Sequence, residues 1–266
     1  MSTALPDLTG QVAVVTGGGL GIGKAIAREL AGRGAFVVIA ARRLPVLEAA
    51  AAELTAETGG KVIPVRADTT DTGSVRSLAA TAAGHGDLAV LVNCAAAPGG
   101  LVRNDVASAD PEALLADLNT KVVGYFRCAQ AVTPHMRRHG YGRIVNIGGL
   151  TGRSSHALSG MRNVAIAHMT KVLSDQLGPF GITVNTLHPG VVETEHIHEL
   201  YQRIAVGRGT SAAQVERDFI DRTPIRRVLT AAEVAQAACF LASPDAGGIT
   251  GESIGIDGGL SRGIFL

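Results

Sequence analysis

The 266-residue sequence predicts one α/β domain built on a doubly wound parallel sheet. Three observations carry that expectation. Short apolar runs alternate with longer amphipathic stretches almost to the C-terminus, the runs are apolar at consecutive positions, and a glycine cluster separates the first run from the first helical stretch. Strands apolar on both faces need cover on both sides, and parallel neighbours need crossovers, which the intervening helices supply.

Val12 to Val15 is the first strand, β-branched and followed by glycines, and Ile22, Ile26 and Leu30 then recur at helical spacing. Phe36 to Ala40 repeats the strand signal. Pro45 suits a first helical position ahead of Val46, Leu47 and Leu54. Further strands are expected at Val62 to Arg66, Leu88 to Val92, Arg143 to Ile147, Ile182 to Leu187 and Ser253 to Ile256, separated by helical material. Asp110 before Pro111 reads as an N-cap and first helical position of a long helical region reaching about Met136. Val191 to Thr223, charged and containing Gly207 and Gly209, is the one long irregular stretch, expected to form a partly helical lid over a ligand site. No Pro/Ser-rich linker or fixed-period repeat interrupts the chain, so residues 1–266 read as a single Rossmann-type domain.

Lys plus Arg number 24 against 23 Asp plus Glu, and aromatic residues make up 3% of the chain with no Trp. A net charge of +1 without a basic run, and so few stacking rings, exclude the usual footprint of a nucleic-acid binder. No apolar stretch reaches the roughly 18 residues that span a bilayer, and Met1 to Gly10 carries no secretory pattern. A soluble cytoplasmic protein is expected, acting on a small molecule, with neither membrane nor nucleic acid as partner. Cys94, Cys128 and Cys239 are odd in number and far apart, which fits reduced thiols rather than a disulfide framework.

Thr16-Gly17-Gly18-Gly19-Leu20-Gly21-Ile22-Gly23 lies between the first strand and the first helix, where exposed amides and the positive end of a helix dipole meet a pyrophosphate. Its spacing departs from G-x-G-x-x-G, because Ile22 stands at the third glycine. Gly18, Gly23 and Lys24 approach a P-loop, but Ala25 stands where the Mg²⁺-binding hydroxyl is required. A glycine turn without a ligand is the plain alternative.

Thr16-Gly-x-x-x-Gly21-Ile22-Gly23 resembles the cofactor signature of the short-chain dehydrogenase/reductase family, and four further landmarks follow in family order. Asp68 lies after the third strand, where the family places an adenine contact, and Asn93-Cys94-Ala95-Ala96 looks like a variant of its Asn-Asn-Ala-Gly turn. Pro189-Gly190 with Thr194 resembles the segment that meets the nicotinamide, and Asp257-Gly258-Gly259 resembles the C-terminal signature. The resemblance covers essentially the whole chain. It implies a dinucleotide held by Gly17, Gly19, Leu20, Gly21, Ile22, Ala41, Arg42, Arg43, Asp68, Thr69, Asn93, Cys94, Ala95, Pro189, Gly190, Val192 and Thr194. An acidic residue ending the second strand would bind the ribose 2′-OH of NAD, but this strand ends Ala40-Ala41-Arg42-Arg43. Two guanidiniums favour the 2′-phosphate of NADP, unless both are simply solvated at a helix start. The family also implies a homo-oligomer, dimer or tetramer, through the long helices after the fourth and fifth strands. There Ala165, Ile166 and Met169 are apolar, which suits core packing equally.

The resemblance breaks at the catalytic pattern. That family uses a Tyr, a Lys four residues later on the same helix face, a Ser and an Asn. Aligning backwards from Leu177 to Asn185 places Ser159 at the Tyr position and Asn163 at the Lys position, and no Tyr occurs between Tyr141 and Tyr201. The Ser falls at Gly148 or Gly149. The Asn falls at Lys121, or at Asn119 if the register slips. Lys121, Ser159 and Asn163 are therefore the candidate catalytic residues, Lys121 bringing positive charge or a proton, with a solvated helix lysine as the alternative. His156 and His188 are candidate acids with a structural or solvated role expected for each, and His196 and His198, two residues apart, offer no metal site. The expected activity is NADP(H)-dependent hydride transfer at a carbonyl or alcohol carbon from an atypical centre. The alternative is a dinucleotide-binding protein without redox turnover.

Overall fold

The computed structural model describes residues 7–96, 105–153 and 157–263. Its strands are β1 (Gln11–Thr16), β2 (Phe36–Ala41), β3 (Val62–Arg66), β4 (Asp87–Asn93), β5 (Gly142–Ile147), β6 (Ile182–Pro189), the short pair β7 (Val192–Glu193) and β8 (Leu229–Thr230), and β9 (Ser253–Ile256). Seven of them form one sheet in the order β3-β2-β1-β4-β5-β6-β9, with every neighbour parallel. All seven expected strands are present, several one or two residues longer than their apolar runs. Winding reverses between β1 and β4, the switch point at which such sheets bind ligands beyond the strand ends.

The helices are α1 (Gly21–Gly32), α2 (Leu44–Thr58), α3 (Thr72–Ala83), α4 (Pro111–Leu118), α5 (Gly124–His139), α6 (Gly160–Leu177), α7 (Ile197–Arg208), α8 (Ala212–Arg222) and α9 (Ala231–Ala242). Alternate residues of one strand serve opposite cores, as the pleat requires. Ala13 and Val15 of β1 pack with α1, α2 and α9, while Val12 and Val14 pack with α3, α5 and α6. The expected doubly wound α/β fold is what the chain forms. No helix among the described residues is long and apolar enough to cross a membrane.

Local expectations shift in three places. Helix α2 begins at Leu44, so Pro45 takes its second position behind the N-cap Arg43. Asp110 caps α4 as expected, its carboxylate accepting from the Glu112 amide at 3.0 Å. The long helical region reaches His139, but a π-helical turn over Asn119–Val123 interrupts it. Such a turn re-aims side chains within an otherwise regular helix, commonly at functional sites. Residues 191–223 are more regular than expected: α7 and α8 pack around Tyr201 and Val215, and the Tyr201 and Phe219 rings lie 5.9 Å apart.

Candidate active site

The cofactor cradle is made by backbone touching backbone. Gly17 turns the chain with φ +70° and donates its N–H to the Ala40 carbonyl at 2.7 Å. A Cβ on Gly23 would fall inside the van der Waals envelope of the Gly17 carbonyl oxygen, so only glycine lets α1 start this close to β1. The Thr16 hydroxyl accepts from the amides of Cys94 (3.1 Å) and Ala95 (3.3 Å), tying the β1 turn to the β4 turn across the switch point. Leu20, the N-cap of α1, gives no side-chain cap. Gly17, Gly19, Leu20, Gly21 and Ile22 therefore surround a helix N-terminus that attracts an anion: the Gly21 N–H donates to the Glu195 carboxylate at 3.4 Å, the place a pyrophosphate would take.

At the end of β2, Arg42 and Arg43 follow Ala41, both exposed and neither in an ion pair among the described residues. Asp68 faces this end: it accepts from the Thr70 amide (2.9 Å) and hydroxyl (2.7 Å). Those bonds hold its carboxyl below the usual range, helped by the charges of Arg42 and Arg127. Thr69, beside it, is buried against the π-turn. On the opposite side, Pro189 ends β6, Gly190 donates its N–H to Ile256 at 2.9 Å, and Val192 is buried in the short β7–β8 ladder. The Thr194 methyl would lie 3.5 Å from a Cβ on Gly21, which places this segment over the glycine turn.

A buried polar chain runs behind the strand ends. Asn93 donates to Asn146 (2.9 Å), Asn146 donates to Thr170 (2.9 Å), and the Thr170 and Thr186 hydroxyls lie 2.6 Å apart. In front of it sits Lys121. At 6% exposure Lys121 is not a solvated helix lysine: the π-turn aims it inward, and its ammonium donates to the Gly148 carbonyl at 3.0 Å. Burial first, and then the Arg162 charge, pull its pKa down to about 8. Asn119, the other register, accepts instead from Arg127 at 3.0 Å.

Ser159 and Asn163 stand at the start of α6, both buried, and the Ser159 Oγ and Asn163 Oδ1 have no hydrogen-bond partner among the described residues. Asn163 donates to the Thr151 hydroxyl at 2.7 Å. Gly148 has no side chain, and His188 fills the space: a Cβ on Gly148 would lie 2.5 Å from the imidazole Nδ1. That Nδ1 is 3.1 Å from both the amide nitrogen and the carbonyl oxygen of Gly149. Burial pushes the His188 pKa down to about 4, so it stays neutral near pH 7. It is buried rather than solvated. His156 lies outside the described residues. Glu193, Glu195, His196 and His198 are exposed, and no cluster of three metal-ligating side chains occurs among the described residues.

The sequence reading did not anticipate the buried ion pair between Arg162 and Asp117, one residue from Asn163 and four from Lys121. Nor did it anticipate the buried polar chain, although an Asn within the apolar run Arg143 to Ile147 was a usable signal.

Residues 9–261 match the family model described as Enoyl-(Acyl carrier protein) reductase. The chain is 34% identical over 251 residues to the Short-chain reductase protein NovJ of Streptomyces niveus, covering 93% of each. Among solved structures it resembles an actinorhodin polyketide ketoreductase with NADPH (TM-score 0.89, 31% identity, 95% of this chain and 98% of that one). It also resembles a short-chain type dehydrogenase/reductase from Mycobacterium ulcerans (TM-score 0.86, 29% identity, 96% and 91%). With a match over nearly its full length and the glycine cradle at the switch point, the chain belongs to the short-chain dehydrogenase/reductase family.

Proposed function

We propose that this chain is an NADP(H)-dependent oxidoreductase acting at a carbonyl or alcohol carbon, with Lys121 near the family's Asn position and Ser159 and Asn163 in place of its tyrosine and lysine. The end of β2 carries the reading: two exposed guanidiniums, in no ion pair among the described residues, and no carboxylate on the strand end itself. Paired guanidiniums bind a phosphate in bidentate fashion, whereas a carboxylate would repel it. The similar actinorhodin ketoreductase was solved with NADPH, which supports the same choice.

The first turn of α1, with Gly17, Gly19, Gly21 and Ile22, would hold the pyrophosphate, which would displace the Glu195 carboxylate from the Gly21 amide. Ala41 to Arg43, Asp68 and Thr69 would hold the adenosine end. Asn93, Cys94 and Ala95 would close the crevice from β4, and Pro189, Gly190, Val192 and Thr194 would flank the nicotinamide. The bound dinucleotide supplies or accepts the hydride. Lys121 places a positive charge near the developing alkoxide and has a proton to give it near neutral pH. Ser159 and Asn163 contribute the unpartnered oxygens that position substrate.

The α7–α8 pair acts as a substrate lid. Exposed Met161 and Val164 on α6, with Phe126 on α5, form the face through which copies associate as a dimer or tetramer; Ile166 turns into the core instead. The protein works in the reducing cytoplasm, where its cysteines remain thiols.

A second reading is binding without turnover. Ser159 and Asn163 at the family's Tyr and Lys positions, with Gly148 or Gly149 at its Ser position, favour it. The test is NADPH consumption against ketones, quinones and β-ketoacyl esters, alongside NADPH and NADH titrations. NADPH is expected to bind at least about tenfold more tightly than NADH; equal dissociation constants reject the cofactor assignment. Lys121→Ala is expected to abolish turnover without unfolding the protein, and NADPH binding without consumption by any substrate selects the second reading.

A further inference from the structure

The chain has four lysines, Lys24, Lys61, Lys121 and Lys171, and the fold buries one of them. Lys24 pairs with Glu53 at 2.6 Å, Lys61 is exposed, and Lys171 is exposed with Asp175 at 3.9 Å. Lys121 alone sits inside, its ammonium on the Gly148 carbonyl and no carboxylate within ion-pair distance among the described residues. The acid of this neighbourhood, Asp117, is taken by Arg162. A buried ammonium without a counter-ion is unfavourable, and a guanidinium nearby makes it more so. Both conditions favour the neutral amine, and a desolvated lysine beside another cation is the arrangement that makes a lysine a nucleophile. The position matters equally: this amine lies at the end of β5, in the crevice that the reading above assigns to a carbonyl substrate.

We propose that Lys121 condenses reversibly with the carbonyl carbon of a small aldehyde, ketone or keto acid, forming a covalent imine with the protein. This rests on the carbonyl-site reading but needs no dinucleotide. The amine lone pair bonds to the carbonyl carbon while the C=O π pair moves to oxygen. That oxygen takes one proton from the nitrogen and one from solvent, then leaves as water. The product is a protonated imine carrying the charge the lysine ammonium had, so no oxidant or reductant is consumed.

The groups facing Lys121 are Arg162 on α6, Asp117 on α4, Cys94 after β4 and His188 on β6. Burial pushes the Cys94 thiol up to about 11 and His188 down to about 4, and Lys121 titrates between them at about 8. Condensation should therefore speed up as pH rises towards 8 and level off above it.

The experiment uses the full chain without nucleotide, incubated with sodium cyanoborohydride and, separately, butanal, pyruvate or acetoacetate, followed by peptide mapping. The expected result with at least one probe is a reduced adduct on Lys121 forming at least about tenfold faster at pH 8 than on the three other lysines. Lys121→Arg, which keeps a cation, and Lys121→Met should each lose that adduct while keeping the wild-type circular dichroism. Labelling of all four lysines at equal rates, or none at Lys121 with any probe, overturns the imine, whether or not NADPH binds. Labelling at Lys121 in a protein that binds no NADPH keeps the imine and removes the dinucleotide reading.

Discussion

Gly23 and Gly148 are both glycines at the switch-point end of the sheet, yet they lack a side chain for opposite reasons. At Gly23 the space is taken by backbone, the Gly17 carbonyl; at Gly148 it is taken by another side chain, the His188 imidazole. Backbone cannot retreat without undoing the strand it belongs to, whereas a ring can rotate or be replaced. The two positions therefore differ in kind: Gly23 is locked by main-chain contact, and Gly148 is held by an exchangeable side chain. A substitution at Gly148 can be absorbed by its neighbour, whereas one at Gly23 cannot.

The contrast would break first at Asp117. Removing this partner leaves the Arg162 guanidinium buried and unpaired, so Asp117→Ala should lower unfolding free energy by about 3–5 kcal/mol in urea titrations. A loss under about 1 kcal/mol would show that the surroundings of Lys121 tolerate even this change, and that the pair is not buried in solution. Gly23→Ala comes next: forcing a methyl into the Gly17 carbonyl should cost about 3 kcal/mol and remove measurable NADPH binding by calorimetry.

Acid sharpens the comparison. His188 titrates at about 4 when folded, against 6.5 for the free side chain, so the unfolded chain binds more protons between those pH values. Stability should then fall as pH drops from 6.5 towards 4, by roughly 2–3 kcal/mol from this group, and His188→Gln should flatten that slope. Lys121 behaves in the same sense higher up. Its folded pKa of about 8 lies below the 10.5 of the free side chain, so its contribution to stability rises between pH 8 and 10.5. The smallest effect is expected for Gly148→Ala, about 1–2 kcal/mol, because the ring it meets can move. Combined with His188→Ala the penalty should largely vanish, and strict additivity in that double-mutant cycle would show that the two positions do not share the space.

Much of this was legible beforehand. The strands were readable because each is a continuous apolar run, and the cradle because Gly17, Gly21 and Gly23 cluster between a strand and a helix. The π-turn was not, since the apolar periodicity of the helix from Pro111 continues through Asn119–Val123 without a proline or glycine to mark it. With the π-turn hidden, the direction of Lys121 was open between solvent and interior.

Residue type along the chain was enough to order the elements, wind the sheet and locate the glycine turn, because helix, strand and turn preferences act over a few neighbours. What faces what around Lys121 was assigned by packing alone. The Lys121 bond to Gly148 spans 27 residues of sequence, the Gly149 bond to His188 spans 39, and the Arg162–Asp117 pair spans 45. Burial, charge pairing and the pKa of a lysine depend on such distant partners, and no local pattern encodes who they will be.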